Sequence, residues 1–383
     1  VKQKWILLLC SLLLLSGCWD KKELNEVAVV IGAGVDKADD QGYKITAQVI
    51  KPQPSKQGGS GGSELPTWSL SANGNTIMDA VRNLNQIAPR RIYWPHMQII
   101  VFGEELAREG ISPVLTWFER DRDSRSGTYI IVTKGKAEDL LNQKIELGNV
   151  PAKAIADLLD TSELRQIDAR RTTLRDLMNV LTSPGVDPTL DVINPKKIRG
   201  KVETYELSDV AVMKGDKLVD FIEGTETLGV DVVFKKFKYG IMTIPLDQED
   251  EFFSYQVTDL KNNIRTSVKN DQITVSMKIF IEGNLSDQTG GQDLIDPDNM
   301  NQVEKLVETK VKKSIQGIFS QSAEHGADIF GIGRDVRRYH PKAWRKMGRD
   351  WDTHLKQVAL NIEVKSSIRR SGLILEPTTT KMK

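Results

Sequence analysis

In Ile273-Thr274-Val275-Ser276-Met277-Lys278-Ile279-Phe280-Ile281, an aliphatic or methionine side chain stands at every second position from Ile273 to Ile281. That is the period of a strand with one buried face. Val358, Leu360, Ile362 and Val364 repeat it further on. Between the two runs, from Asn301 to about Glu324, the period changes. Val303, Leu306, Val307, Val311, Ile315, Ile318 and Phe319 form one stripe of a long amphipathic helix, and Gly326 suits its C-terminal cap. Long alternating strands around one long helix read most economically as a helix packed on an antiparallel sheet. The fold class is therefore α+β.

Working back from this stretch, Asp209–Met213 and Lys217–Phe221 flank Lys214-Gly215-Asp216 as a short hairpin. The style of the sequence changes near residue 201, and a C-terminal α+β domain is expected over 201–375. Upstream lies an N-terminal α+β region, 18–200, open to division into two subdomains. There Val27–Val35 and Tyr43–Ile50 read as a hairpin joined by the turn-forming Asp36–Gly42. Pro52–Glu64 is a Gly/Ser-rich segment expected to be a flexible loop. Asn75–Ile87 has helical spacing, with Ile77, Ala80, Val81, Leu84 and Ile87 on one face. Strands are expected at Gln98–Phe102 and Thr128–Thr133. Helices are expected at Glu104–Glu109, Ser112–Phe118 and Ala137–Leu141, with more between Pro151 and Leu181, where Thr182–Pro188 breaks the run. The whole is a multi-domain body of mixed and antiparallel sheets packed with helices.

Charge and composition exclude several classes. Lys+Arg total 53 against Asp+Glu 52 over 383 residues, so no basic excess points to nucleic acid. The single strongly apolar run is N-terminal, which excludes a multi-span membrane protein. Both cysteines, Cys10 and Cys18, fall in the first 18 residues, leaving the body without thiolate chemistry or disulfides. His96, His325, His340 and His354 show no metal-ligand spacing.

The first residues form a leader. Lys2 and Lys4 precede WILLLCSLLLL, from Trp5 to Leu15, which has the length of a signal-peptide core. It ends in Leu15-Ser16-Gly17-Cys18, a lipobox: small residues admit the peptidase, and the Cys18 thiol accepts diacylglycerol. Cleavage after residue 17 leaves Cys18 N-terminal with two or three acyl chains (diacylglyceryl and N-acyl), enough for stable anchoring. Cys10 lies in the discarded piece. Loss of Lys2 and Lys4 leaves 51 positive against 52 negative side chains, so attachment rests on the acyl chains rather than on net charge.

Other motifs carry less chemistry. Gly32-Ala33-Gly34 has Lys37 where a dinucleotide fingerprint needs its third glycine, and a polar turn and a strand follow where a helix is required. Close packing of a strand is the better reading. Gly331-Ile332-Gly333 lacks the same context. The alternating charges Glu119–Arg125 read as a solvated loop. Arg334, Arg337, Arg338, Lys342, Arg345, Lys346 and Arg349 make a basic stretch beside Trp344 and Trp351. It suits either lipid headgroups or an acidic partner, or else an amphipathic helix with its tryptophans in the core. No nucleophile elbow, zinc-protease motif or Ser-x-x-Lys pair occurs. No catalytic, cofactor-binding or metal residue is expected.

Several segments together resemble one family. These are Cys18-Trp19-Asp20-Lys21-Lys22-Glu23-Leu24-Asn25-Glu26, Ile31-Gly32-Ala33-Gly34-Val35-Asp36, Phe102–Ile111 (FGEELAREGI), Phe118-Glu119-Arg120-Asp121, Pro341-Lys342-Ala343-Trp344 and Trp351-Asp352. In this order and behind a lipobox, they resemble the Ger(x)C lipoproteins, the C subunits of Bacillus-type spore germinant receptors. The similarity runs from the leader to about residue 370. It implies a non-catalytic subunit on the outer face of the spore inner membrane, beside multi-span A and B subunits of a nutrient receptor. The one family position carried over is the lipidated cysteine, Cys18. Trp344 and Trp351 are the first candidates for partner contact. The competing reading is a solute-binding lipoprotein of a transporter, which would show two α/β lobes of repeated βαβ units. A lipid-anchored cell-wall hydrolase is the third.

Overall fold

The structure, a computed structural model, describes residues 26–370 except 40–41, 52–66, 122–123, 146–147, 149, 163–168, 199, 235–239, 247–250, 292 and 295. Cys18, the loop 52–64 and the middle of the Glu119–Arg125 run lie outside the described residues.

Among the described residues there are two sheets. The large one has nine strands. At its centre β1 (Val27–Lys37), β5 (Ile99–Gly103), β6 (Tyr129–Thr133) and β7 (Thr189–Ile198) run parallel. Antiparallel hairpins extend it on both sides. One is β2 (Tyr43–Ile50) with β3 (Thr67–Gly74), the other β8 (Lys201–Lys214) with β9 (Lys217–Ile222). The order is β3-β2-β1-β5-β6-β7-β8-β9, and the short β4 (Arg91–Tyr93) pairs with the start of β1.

Parallel strands need crossover helices, and these cover both faces. On one face α1 (Ile77–Ile87), α2 (Glu104–Glu109), α3 (Ser112–Arg120) and α6 (Leu174–Leu181) pack on Val30, Ile100, Phe102 and Ile130. On the other, α4 (Ala137–Leu141) and α5 (Pro151–Asp160) pack on Ile31, Ile99, Val101 and Ile131. Every residue of β5 is buried. Thr76 starts α1 by accepting the Asp79 N–H at 3.1 Å, one of the free donors of a helix N-terminus. The two glycines of Gly32-Ala33-Gly34 are close-packing positions: a Cβ on Gly32 would lie 2.4 Å from Ala152 Cβ, and one on Gly34 3.1 Å from Ala137 Cβ.

The small sheet has the order β10 (Ile241–Pro245), β11 (Phe252–Lys269), β12 (Gln272–Gln288), β13 (Ala359–Arg370). The helix that decides the fold class is α8 (Pro297–Glu324). Asp296 caps its start by accepting the Asp298 N–H at 3.0 Å, and Gly326 follows its end at φ +69°. Val303, Val307, Val311 and Ile315 of α8 pack on Ile273, Val275, Met277, Ile279 and Ile281, all buried. The antiparallel expectation holds for β10-β11-β12 and fails for β13, which is parallel to β12. The connection explains it: the long helix carries the chain back along the sheet before β13 begins. Two α8 carboxylates cover the outer edge of β13. Glu308 accepts the Ser366 N–H at 3.0 Å and Glu304 the Ile368 N–H at 2.9 Å.

The change of style near residue 201 does not separate the sheets. β7 and β8 are neighbours on either side of that position, and the large sheet continues to Ile222.

Candidate functional site at the junction of the two sheets

Residues far apart in sequence meet between the sheets. Val210, Val212 and Ile222 of the large sheet pack against Val230 of α7 (Leu228–Val233), Ile318 of α8, and Ala327 and Ile329, which follow α8. This cluster is a third kind of core, shared by both halves.

Polar anchors flank it. The Arg170 guanidinium, before α6, pairs with the Asp231 carboxylate of α7, and their side chains are only 5% and 2% exposed. The backbone N–H groups of Arg170 and Arg171 both donate to Asp191 of β7 at 2.7 Å, which places the arginine. A buried pair of this kind contributes little net stability but makes loss of either partner expensive.

The second anchor surrounds Asp328. Its carboxylate accepts the N–H groups of Ile332 (2.9 Å) and Gly333 (2.6 Å) and the Trp351 indole N–H (3.0 Å). Ile332 and Gly333 open α9 (Ile332–Tyr339), so the carboxylate sits on free donors of a helix start. Burial pushes the Asp328 pKa up to about 6, against the pull of those three donors, and nearby Asp187 pushes it further up. The Asp328 N–H donates to Asp187 Oδ2 at 2.7 Å, and the Asp187 N–H donates to the Asp328 carbonyl at 2.9 Å. Asp187 also accepts the Gly215 N–H at 2.7 Å. Lys214, at the end of β8, reaches Asp352 at 2.6 Å, Asp187 at 3.6 Å and the Gly326 carbonyl.

The backbone closes this seam. The Arg334 N–H donates to the Gly185 carbonyl at 2.7 Å. Gly185 has φ +79°, and a Cβ there would lie 2.4 Å from the Gly333 carbonyl carbon. A Cβ on Gly333 would lie 2.7 Å from the Trp351 ring. The breaker Thr182–Pro188 and the Gly331-Ile332-Gly333 motif are thus two sides of one contact. Beside it opens a cleft of about 390 Å³ lined by Pro184, Lys214, Trp344, Arg349 and Asp350 among others.

The two tryptophans behave differently from a shared surface. Trp351, at the start of α11 (Trp351–Leu355), is 6% exposed and spends its indole N–H on Asp328, so most of its ring is core, with an edge lining the cleft. Trp344, on α10 (Pro341–Met347), is half-buried, its ring 5.3 Å from that of Trp351. Of the sequence-level site residues, the structure brings these two together, while Cys18 lies outside the described residues. Arg170, Asp187, Asp191, Lys214, Asp231 and Asp328 carried no signal as single charged residues. Only the breaker and the Gly-x-Gly pair marked two places where chains touch. Among the described residues no group of three or more His, Cys, Asp or Glu side chains could hold a metal ion, and no helix is long and apolar enough to cross a membrane.

Two sheets welded through a polar seam define a two-domain arrangement, and the comparisons identify its class. Residues 20–195 match the model of the spore germination protein N-terminal domain, and residues 208–372 match that of the spore germination B3/GerAC-like C-terminal domain. The chain belongs to this family of spore germination proteins. Spore germination protein KC of Bacillus subtilis (strain 168) is 26% identical over 97% of this chain and 96% of its own length. Spore germination protein GerQC of Bacillus cereus is 20% identical over 97% and 99%. The fold is that of the crystal structure of the GerBC protein, with a TM-score of 0.53, 19% identity, and 91% of this chain and 99% of that one covered.

Proposed function

We propose that this chain is the lipid-anchored, non-catalytic C subunit of a nutrient germinant receptor in the spore inner membrane. Acyl chains on Cys18 hold its ectodomain on the outer face, where it assembles with multi-span A and B subunits. The observation that carries this reading is the match of both germination-family domains, in order, over nearly the whole chain, behind a lipobox. The junction adds a physical role. By sharing an apolar cluster and buried anchors, the two domains move as one body, so the subunit presents a surface of fixed shape to its partners.

The test is affinity purification of the tagged chain from detergent-solubilised spore membranes. Co-elution of a multi-span subunit and a transporter-like subunit, lost with Cys18→Ala or with removal of the ectodomain, is expected. Recovery of transporter permease and ATPase subunits instead would favour the solute-binding reading. A Cys18→Ala chain that stays in the membrane fraction and carries acyl groups by mass spectrometry would refute the anchor.

A further inference from the structure

The basic stretch after α8 resolves into two short helices, α9 and α10, joined at His340 with no loop between them. Both lay their apolar side on the core of the small sheet, through Ile332 and Val336 from α9 and Met347, Ala343 and Trp344 from α10. Their outward sides therefore form one surface, and it is basic. Arg337, Arg338, Lys342, Arg345 and Arg349 are all exposed, and none of them pairs with a carboxylate among the described residues. Lys346 is the exception, 3.4 Å from Asp271. Arg338 lies over the ring of Tyr339, which is 62% exposed in the midst of these charges. Five unneutralised cations around an exposed tyrosine, on a chain whose mature charges nearly cancel, form a local concentration that self-pairing does not explain.

The position of this surface says what covers it. β1, β5, β6 and β7 are parallel, so their starts lie at one end of the large sheet. The Pro184–Pro188 segment that leads into β7 is at that end, and the first turn of α9 is hydrogen-bonded to it through Gly185. β1 begins at Val27, at the same end. Eight residues lie between Cys18 and Val27, and the nine steps from one to the other span at most about 30 Å when extended. With the anchor at Cys18, on which this step rests, the bilayer lies against the end of the molecule that carries α9 and α10.

We infer that the outward surface of α9 and α10 is a second membrane contact, which binds the anionic phosphate headgroups of phospholipids and sets the orientation of the ectodomain. Cations held near an anionic leaflet are drawn to it, and tyrosine is at home at headgroup depth. The acyl chains would supply retention and this surface the angle at which the body stands on the membrane.

The test uses the mature chain with Cys18→Ala, so that no acyl chain contributes, and measures co-sedimentation with vesicles at low and high salt. Phosphatidylcholine vesicles containing about one third phosphatidylglycerol are expected to bind at least about tenfold more chain than pure phosphatidylcholine, and salt should abolish the difference. The triple variant Arg337→Glu, Arg338→Glu, Arg345→Glu should lose at least about tenfold. A control with the same charge change on the open face of the small sheet (Lys261→Glu, Lys278→Glu, Lys365→Glu) should keep binding, with both variants matching the parent by circular dichroism. Equal binding to the two vesicle types, equal loss in the two triple variants, or binding only to an acidic protein would overturn the inference. Because the chain tested has no anchor, these outcomes are independent of whether Cys18 is lipidated.

Discussion

The two sheets solve the same problem in opposite ways. The centre of the large sheet is buried on both faces by helices, so β5 has no exposed residue. The small sheet is covered on one face by α8 and leaves Lys278 and Phe280 of β12 exposed on the other. A strand buried on both sides needs apolar groups throughout, whereas a half-buried one must alternate. The difference also separates the roles: the centre of the large sheet is a scaffold with little free surface, while the small sheet and its helices carry charged surface outward. The junction lets the second be positioned by the first.

The sharpest way to break this arrangement is at the buried ion pair. Arg170→Met leaves Asp231 charged and unpartnered, and unfolding by denaturant should show a loss of about 3–5 kcal/mol. The double variant Arg170→Met, Asp231→Leu should recover much of it, because the cost is that of a lone buried charge. A single variant as stable as its parent would mean that water reaches the pair.

Gly185→Ala acts at the seam alone. Its positive φ and the missing space in front of Gly333 should together cost about 2–3 kcal/mol. Hydrogen exchange should rise first at the start of α9 and at Asp187, with β5 and β12 still protected. Uniform loss of protection would show that the seam and the sheets unfold together.

Asp328 gives a smaller, pH-dependent contrast. Its folded-state pKa of about 6 lies above the ordinary 3.8, so the protonated form is the one favoured by folding. The extra stability is full below about pH 4 and is lost as pH rises through about 6. Relative to Asp328→Asn, the parent should therefore gain about 1 kcal/mol between pH 7 and pH 5. A gain of the opposite sign would mean that the three donors outweigh burial.

The smallest effect is expected on the open face of the small sheet. Phe280→Ser should change stability by no more than about 0.5 kcal/mol, since the ring is nearly half exposed at 48%. A larger loss would show that this face packs against something.

The same contrast decides what could be read from the sequence. β12 and α8 were legible because each has one buried side and hence a period. β1 and β6 were found as unbroken apolar runs, but β7 hid behind Pro195, Lys196 and Lys197, which occupy its half-exposed and exposed far end. β11 is longer than β12 yet left no pattern. A bulge between Val257 and Asp259, with Thr258 the extra residue, shifts its phase, and its second half, with Asn262 and Asn263, alternates only between half-buried and exposed. The boundary near 201 falls between the two family-model matches, 20–195 and 208–372, while the large sheet continues across it to Ile222 through the β8-β9 hairpin. The junction was the least legible part, because an ion pair such as Arg170 with Asp231 joins positions that no local period relates. The tryptophans were visible, but their burial depended on Asp328 and Gly333, which lie well before Trp351 in sequence.

The central claim is that the two domains act as one body in receptor function, and Gly185→Ala measures it most directly. In spores whose nutrient response depends on this chain, the variant should remain abundant, because both sheets are intact, and membrane-attached if the proposed anchor at Cys18 holds it. Germination in response to nutrient should slow markedly, and co-purification of the membrane subunits should weaken in parallel with the increased exchange at the start of α9. Nutrient-triggered germination at the parent's rate, in spores where hydrogen exchange shows the seam open, would contradict the account.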